Sequence, residues 1–320
     1  MKSDLTKVMT SVILQQCFSF FIVLVPLVIL SVYHMFSAGT FDTEPVLGLF
    51  SNSSTASIIM QMSIYIFSLF IPFLLYFVFT KSKPTDIMTF KIKHKLNSFL
   101  AVFICIGVAI ISNIGLVILN TVLTEFNLPI PEAPEMSTPT GIIPTILYYV
   151  QIAILPAFLE EFAYRGVVQG ALKKYSAPVA LFVSAFLFAL MHGNMMQIIF
   201  AFPLGLAIGY FVLKFDSIWI GILAHFFNNA LACTQQLAVY KLGEKLGGIF
   251  ILGSYLVLML AALLCIAILA IRMFHQKNKI QIPKGILSNQ KALGAVLSSP
   301  LMYGYIGMII ALIISYTLAN

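Results

Sequence analysis

Two adjacent glutamates lie inside an apolar stretch of the chain, where a charged side chain is costly. Glu160 and Glu161 follow an apolar segment that contains Pro156, and Arg165 comes one helical turn after Glu161. A charge at bilayer depth costs roughly 2.5–3.5 kcal/mol on insertion scales, so such residues usually serve chemistry or transport. A carboxylate in apolar surroundings is a stronger proton acceptor than one in water, and it could deprotonate a water molecule.

Two histidines lie in stretches that are almost as apolar. They are His192 and His225, and Asn229 follows His225 at the i,i+4 spacing that places two side chains on one helical face. His192 could help a glutamate to hold and deprotonate water. His225 and Asn229 could donate hydrogen bonds to the oxyanion that forms when water attacks an amide carbonyl.

The two glutamates cannot share one role, because neighbouring residues on a helix point about 100° apart. Glu161 and Arg165 are spaced to form an ion pair, in which each neutralises the other. Glu160 is then the carboxylate that is free to face a cavity. Pro156 removes the amide that would bond to Ile152, and the kink that this predicts could open space beside Glu160.

Simpler explanations exist for each residue taken alone. Glu160 would be interfacial if its span ended early, and His192 could be a packing residue. His225 and Asn229 could form an interhelical hydrogen-bonded pair. The active-site interpretation therefore depends on whether these residues share one depth in the membrane.

The elements that must position them are membrane helices. The chain of 320 residues is 60% hydrophobic and 9% charged, with a mean hydropathy of +1.01, whereas a soluble domain is about a quarter charged. This composition predicts an all-α polytopic membrane bundle with eight to nine helices. The net charge of +7 comes from short basic loops, which topology explains without nucleic acid.

Nine apolar windows approach the roughly 20 residues that a span needs. They group into N-terminal helices (1–140), a catalytic core (141–240) and C-terminal helices (241–320). The windows are 11–33, 57–80, 97–122, 143–172, 178–192, 195–213, 217–239, 249–274 and 301–319. The fifth window is short for a span.

Loop charges predict the orientation of the chain. Lysines fill the loop at 81–95 and the loop after window eight, while the alternate loops carry acidic residues and no lysine or arginine. This alternation predicts a cytoplasmic N-terminus and an external C-terminus, although Lys241 and Lys245 depart from it. We expect a multi-pass protein of a plasma membrane, bacterial rather than organellar. The acidic residues are Asp42, Glu44, Glu125, Glu132 and Glu135.

A helical hairpin would bring the first two motifs to one depth. Glu160 to Lys174 is roughly 21 Å of helix, and Pro178 to His192 is about the same. Ser176 is suited to cap the second helix, with proline at an early position. A third helix can add the last motif at the same level.

Together these motifs resemble those of CPBP intramembrane endopeptidases, the Abi family, which includes CAAX prenyl proteases of the Rce1 type and bacteriocin-processing or immunity proteins. The resemblance covers about residues 143–239, and all three motifs occur in order. They are Glu160-Glu161-xxx-Arg165, Phe188-xxx-His192 and His225-xxx-Asn229.

The resemblance implies roles for these positions. Glu160 would activate a water that His192 helps to hold, and His225 and Asn229 would form the oxyanion hole, while the rest of the first motif supports the scaffold. The family includes enzymes described as metalloproteases and as metal-independent glutamate proteases. No cofactor is certain, but zinc is possible, with Glu160, His192 and His225 as ligands. We prefer the metal-free version, because an amide such as Asn229 is a poor zinc ligand and a good oxyanion donor.

The expected partners are the lipid bilayer and a membrane-associated peptide or protein substrate. Two other functions stay open. A proton-coupled transporter could use Glu160 and His192 as a relay, but such proteins often carry inverted repeats, and we find none. A non-catalytic immunity protein would keep the fold and bind a peptide.

Overall fold

The computed structural model describes residues 1–38, 55–131, 138–275 and 280–319, and this part of the chain is helical without strands. The predicted polytopic helical bundle is confirmed. The helices are α1 (Lys2–Ala38), α2 (Thr55–Thr80), α3 (Pro84–Ile87), α4 (Lys95–Glu125), α5 (Ile142–Leu172), α6 (Ala177–Leu190), α7 (Met195–Phe215), α8 (Trp219–His275), α9 (Asn289–Leu297) and α10 (Pro300–Ala319).

Within the described residues, six helices are long and apolar enough to cross a membrane, or seven if the pair α9 and α10, bent by 60°, is one span. The chain is therefore a multi-pass membrane protein. The count is lower than the eight to nine predicted, partly because α6 has only 14 residues. It rises about 21 Å, which is less than the hydrocarbon thickness of about 30 Å, so window 178–192 does not span alone.

Helix α8 is counted once in that number, although it has 57 residues and leaves helical geometry at Gly243 (φ 77°, ψ 168°). A glycine adopts this positive φ without steric strain. The chain reverses there, because Gln235 Nε2 donates a hydrogen bond to Ser254 Oγ at 2.9 Å, a pair that a straight helix would hold roughly 28 Å apart. The predicted windows 217–239 and 249–274 are thus two antiparallel arms of α8.

The predicted hairpin joins α5 to α6. The Ser176 hydroxyl caps α6 by accepting a hydrogen bond from the Val179 N–H at 3.4 Å. Helix α6 returns along the C-terminal part of α5 and packs against α7. The turn therefore brings the end of α6 back to the depth of the two glutamates.

Helix α7 approaches α6 closely at the Gly205-xxx-Gly209 pair, which the sequence indicates as a crossing. A Cβ on Gly205 would lie 3.3 Å from the Cβ of Ala185, and one on Gly209 would lie 2.6 Å from Leu181 Cδ1. Larger residues at these positions would push the helices apart.

Helix α5 is irregular on both sides of its first glutamate. π-Helical segments at Val150–Ile154 and Glu161–Gln169 flank the α-helical turn Leu155–Glu160. Each π-helical segment widens the helix locally, and such segments are frequent at functional sites. Pro156, at the start of the intervening turn, lines the cavity described below, where the sequence predicts an opening.

The predicted orientation is only partly covered by the structure. Asp42, Glu44, Glu132, Glu135 and the basic residues at 277 and 279 lie outside the described residues. Among those described, the 81–95 loop meets the turn between α7 and α8, where Lys93 pairs with Asp216 at 2.6 Å.

Candidate active site

Glu160, His192, His225 and Asn229 line one cavity of about 570 Å³. They reach it from α5, from the turn after α6 and from the first arm of α8, while α1, α2 and α7 complete the lining. The structure thus places all four predicted catalytic residues around a single space, as the hairpin requires. This geometry is compatible with the predicted roles and does not by itself test them.

Glu160 is buried, with 4% of its surface exposed, and its two carboxylate oxygens differ. Oε1 accepts a hydrogen bond from the Tyr65 hydroxyl at 2.5 Å. Oε2 has no hydrogen-bond partner and lies 3.8 Å from His225 Nε2, too far for a direct hydrogen bond. One oxygen is therefore held in place, and the other faces an imidazole.

Glu161 is fully buried and is not among the residues that line the cavity. Its Oε1 lies 2.8 Å from Arg165 Nη1, and both side chains are fully buried. The predicted ion pair is confirmed. Arg165 Nη2 also donates to the Gly205 carbonyl at 3.3 Å, and Gln169, one turn later, donates to the Gly209 carbonyl at 2.8 Å. The ion pair is thus anchored to the glycines of the α7 crossing.

His225 connects the two carboxylates. Its Nδ1 lies 3.0 Å from Glu161 Oε1, and its Nε2 faces Glu160. Because the carboxylate of Glu161 is paired with Arg165, it can accept a hydrogen bond from Nδ1–H and fix the orientation of the ring. Nε2 can then donate a hydrogen bond only when the ring is an imidazolium.

Asn229 is held at both ends of its amide. Its Nδ2 donates to the Ile152 carbonyl at 2.8 Å, and its Oδ1 accepts from Asn228 Nδ2 at 2.9 Å. In an α-helix that carbonyl would bond to the amide of residue 156, but Pro156 has no N–H. Nδ2 carries two hydrogens, so one N–H remains for a ligand in the cavity.

Phe188 lines the cavity and is 2% exposed, so it packs inside the protein and does not face lipid. Its ring centroid is 5.4 Å from that of His192 and 5.8 Å from that of His225, both in edge-on geometry. The Arg165 guanidinium lies over its face at 4.1 Å. Phe188 thus packs against both imidazoles and the ion pair.

Several cavity residues were not identified from the sequence. Tyr65 and Gln61 come from α2, Gln151 from the first π-helical segment of α5, and Asn228 from α8. The available signal was a polar side chain at roughly helical spacing within an apolar window, Gln61 and Tyr65 being four residues apart. Such residues are too common in membrane helices to single out without knowing the packing.

Asn194 and Gln197 follow His192 closely in the sequence and have different positions in the structure. The Asn194 side chain caps α7 by accepting a hydrogen bond from the Gln197 N–H at 3.2 Å. The Gln197 side chain lines the cavity. A capping role explains Asn194 without any contact to a substrate.

The residues considered as zinc ligands do not form a metal site in this arrangement. Across the described ranges, no three side chains of His, Cys, Asp or Glu lie close enough to hold one ion. Glu160 and His225 approach only to 3.8 Å, and Glu160 Oε1 is engaged by a tyrosine hydroxyl. The donor set as placed does not fit zinc, and no step below depends on it.

Residues 142–231 match a family model described as type II CAAX prenyl endopeptidase Rce1-like. The matched segment contains all three motifs and most of the region that carries the resemblance, so the Rce1-like assignment of this segment is confirmed. At family level it indicates a CAAX-type intramembrane endopeptidase, a hydrolase that acts on peptide or protein substrates at the membrane. Comparisons with curated proteins and with solved structures find no match.

Proposed function

We propose that the protein is an intramembrane endopeptidase that hydrolyses a peptide bond of a membrane-associated peptide or protein without a metal ion. The observation that supports this most strongly is the division of labour between two adjacent glutamates. Glu161 is paired with Arg165 at 2.8 Å, whereas Glu160 faces the cavity that also contains His192, His225 and Asn229. One carboxylate is thus available as a base, and two hydrogen-bond donors are close to it.

In this mechanism Glu160 acts as the general base. Tyr65 holds Oε1, so Oε2 is the oxygen that takes a proton from water, and His192 on the same cavity helps to orient that water. The water oxygen then forms a bond to the carbonyl carbon of the scissile peptide group. The electron pair of the C=O π bond moves onto the carbonyl oxygen, which becomes the oxyanion. Burial of the site keeps bulk water away from the reacting groups.

The oxyanion is stabilised by His225 and Asn229. Asn229 offers its remaining Nδ2–H, because the other hydrogen is held by the Ile152 carbonyl. His225 offers Nε2–H as an imidazolium, which Glu161 stabilises through Nδ1 at 3.0 Å. Donors fixed in advance in this way lower the barrier without reorganisation during the reaction.

Collapse of the tetrahedral intermediate completes the reaction. The C–N bond breaks as the proton on Glu160 passes to the leaving nitrogen, which becomes a free amine. The other product keeps the new carboxyl group, and Glu160 returns to its ionised form. The same residue thus serves first as base and then as acid.

The cellular setting follows the sequence expectations. We propose a plasma-membrane location, bacterial rather than organellar, with a cytoplasmic N-terminus as the lysine-rich loops indicate. The partners are the bilayer and the peptide or protein substrate, and no nucleic acid is involved. An intact set of site residues favours catalysis over a purely peptide-binding immunity role.

Cleavage of a capped peptide library by the purified protein in detergent tests this function. We expect mass spectrometry to detect internal cleavage by wild type and none by Glu160→Ala, His192→Ala or His225→Ala. Matched controls are Glu125→Ala, at the end of α4, and His275→Ala, whose exposed ring contacts its own helix. Both should cleave like wild type. Activity in a folded Glu160→Ala variant would refute the assignment.

A chelator added to the same assay tests the metal-free mechanism separately. We expect no loss of cleavage after dialysis against the chelator. Inhibition that added zinc reverses would show that the residues rearrange to bind a metal ion, and the proposed water activation would then be wrong even if the endopeptidase assignment held.

A further inference from the structure

The cavity wall is unusually rich in carboxamides. Five of them, contributed by α2, α5, α7 and α8, line the space around Glu160, whereas no lysine or arginine of the described residues does so. A carboxamide is uncharged and offers both donors and an acceptor, like a peptide group. The five residues are Gln61, Gln151, Gln197, Asn228 and Asn229.

Two of these carboxamides join helices across the cavity. Gln151 Nε2 on α5 donates a hydrogen bond to Gln61 Oε1 on α2 at 2.8 Å. Gln151 belongs to the π-helical segment Val150–Ile154. The same segment supplies the Ile152 carbonyl that Asn229 binds. The hydrogen bond between Gln61 and Gln151, which we call the Gln61–Gln151 bridge, and the proposed oxyanion donor Asn229 are therefore attached to one short stretch of backbone.

One atom of the Gln61–Gln151 bridge has no hydrogen-bond partner. Gln151 Oε1 is buried and has no partner. A buried polar atom without a hydrogen bond costs about 1–3 kcal/mol. A ligand that brings both an N–H and a C=O could satisfy this oxygen and accept the hydrogen bond from Gln151 Nε2 in place of Gln61.

We propose that the main chain of an extended, uncharged peptide segment binds in this cavity by replacing the Gln61–Gln151 bridge. A substrate N–H donates to Gln151 Oε1, and a substrate carbonyl accepts from Gln151 Nε2. The inference rests on the proposed function for the identity of the ligand as a peptide. Recognition through the main chain makes the enzyme tolerant of the side chains that flank the scissile bond.

The charges of the cavity set the limit of that tolerance. Apart from Glu160 and the two histidines, the described lining residues include no acidic or basic side chain. An acidic side chain or a terminal carboxylate placed beside Glu160 would therefore meet no lysine or arginine, and burial without a partner is costly. The segment that binds is uncharged and internal to the substrate.

A double-mutant cycle between protein and peptide tests the main-chain contact. The probe is the fastest-cleaved peptide of the capped library or, if none is cleaved, the tightest-binding one, and the full-length protein carries Glu160→Gln so that binding is measured without turnover. Fluorescence anisotropy compares this protein with and without Gln151→Leu. Each is measured with the amide peptide and with analogues in which one amide N–H is replaced by an ester oxygen.

We expect one ester position to weaken binding about tenfold, and Gln151→Leu to weaken binding of the amide peptide by at least that factor, since it also removes the donor Nε2. The ester should cause no further loss in Gln151→Leu, because that variant already lacks the hydrogen bond that the ester removes. The matched control is Gln16→Leu, since Gln16 on α1 also has a buried, unpartnered oxygen but does not line the cavity. It should leave affinity unchanged.

The outcomes separate this inference from the proposed function. Additive losses at every ester position, equal losses for Gln16→Leu and Gln151→Leu, or absence of binding would overturn the main-chain contact even if cleavage is observed. Coupled losses without cleavage by wild type would support the contact while the endopeptidase assignment fails. Faster cleavage by wild type of a peptide with a glutamate beside the ester-sensitive position, or tighter binding of that peptide to wild type if no peptide is cleaved, would refute the preference for uncharged segments.

Discussion

Glu160 and Glu161 are adjacent on α5, but their carboxylates face different sides of the helix and have different surroundings. Both carboxylates are buried, with 4% of Glu160 and none of Glu161 exposed. On the packed side, Glu161 contacts Arg165 at 2.8 Å and His225 at 3.0 Å. On the cavity side, Glu160 has one hydrogen bond, from the neutral hydroxyl of Tyr65, and an oxygen without a partner.

The difference teaches that burial alone does not decide what a carboxylate can do. A buried carboxylate that is paired with a guanidinium contributes to a fixed scaffold, whereas Glu160 keeps one oxygen without a hydrogen-bond partner beside the cavity. His225 touches the scaffold through Nδ1 and faces the cavity through Nε2. The packed side can therefore influence the chemistry through one ring.

The largest expected effect comes from Glu160→Gln, which keeps the shape of the side chain and removes the base. We expect cleavage to fall about 10²–10⁴-fold, the range for loss of general acid–base catalysis. The melting temperature should change little, since the carboxamide can still accept the Tyr65 hydrogen bond. Kinetics and thermal unfolding in the same detergent measure both. A large loss of stability with little loss of cleavage would reverse the proposed roles of the two glutamates.

Glu161→Gln should show the opposite balance. It leaves Arg165 buried without its counterion, and breaking a buried pair costs about 3–5 kcal/mol. We expect the purified protein to unfold at a much lower temperature or to express poorly. A variant that matches wild type in thermal unfolding would show that Arg165 does not need Glu161, and the comparison between the two sides would lose its basis.

Much of the fold was predictable because each signal is local. The Ser176 cap and the length of the two helical segments predict the hairpin, and Glu161 and Arg165 predict their ion pair through i,i+4 spacing. The number of spans was less accessible. The hydropathy windows separate the two arms of α8 and mark the fifth window as short, but they do not show that α9 and α10 form a pair bent by 60° or that a 14-residue helix packs inside the bundle.

Of the residues that line the cavity, the sequence predicted a catalytic role only for members of the three motifs. The three motifs have spacings that can be recognised in the sequence, and they contain Glu160, His192, His225 and Asn229. Tyr65 lies on α2, 95 residues from the glutamate that it contacts, and no local pattern connects them. The bond between Asn229 and the Ile152 carbonyl likewise appears only when α5 and α8 are packed together.

Gly221→Ala tests the packed side without changing a charge. A Cβ at this position would overlap Glu161 Oε2, so the ion pair would have to shift. Overpacking of this kind costs about 1–3 kcal/mol, and we expect a lower melting temperature with reduced cleavage, because His225 moves with Glu161. Gly115→Ala on α4 is the control, since nothing lies within 4 Å of its Cβ. Equal behaviour of the two variants would contradict the tight packing.

Tyr65→Phe tests the cavity side more gently. It removes the hydrogen bond that fixes Glu160 Oε1 and leaves the ring in place. Loss of one bond to a charged group costs about 1.5–3 kcal/mol, and we expect kcat to fall roughly tenfold or more while KM changes little. Tyr149→Phe is the control, because its hydroxyl bonds to Thr234 outside the cavity lining. An unchanged kcat in Tyr65→Phe would show that Glu160 needs no positioning.

We expect the smallest effect from Asp216→Asn. Asp216 and Lys93 form an exposed ion pair, which can be compared with the buried pair of Glu161 and Arg165. Asp216 lies 2.6 Å from Lys93 with 42% of its side chain exposed, and asparagine also tolerates its left-handed backbone (φ 49°). Partial burial acts to raise the pKa of Asp216, but the hydrogen bonds from Lys93 and Thr89 lower it below the ordinary value of 3.8.

This pair therefore contributes stability above that ordinary value and loses it as the pH falls through the lower pKa of the folded state. Because solvent and salt screen an exposed pair, we expect Asp216→Asn to cost less than about 1 kcal/mol at neutral pH and low salt. Thermal unfolding of both proteins between neutral pH and about pH 3 measures the difference. The curves should converge at the acidic end and at high salt. A loss as large as that of Glu161→Gln would show that exposure does not distinguish the two pairs.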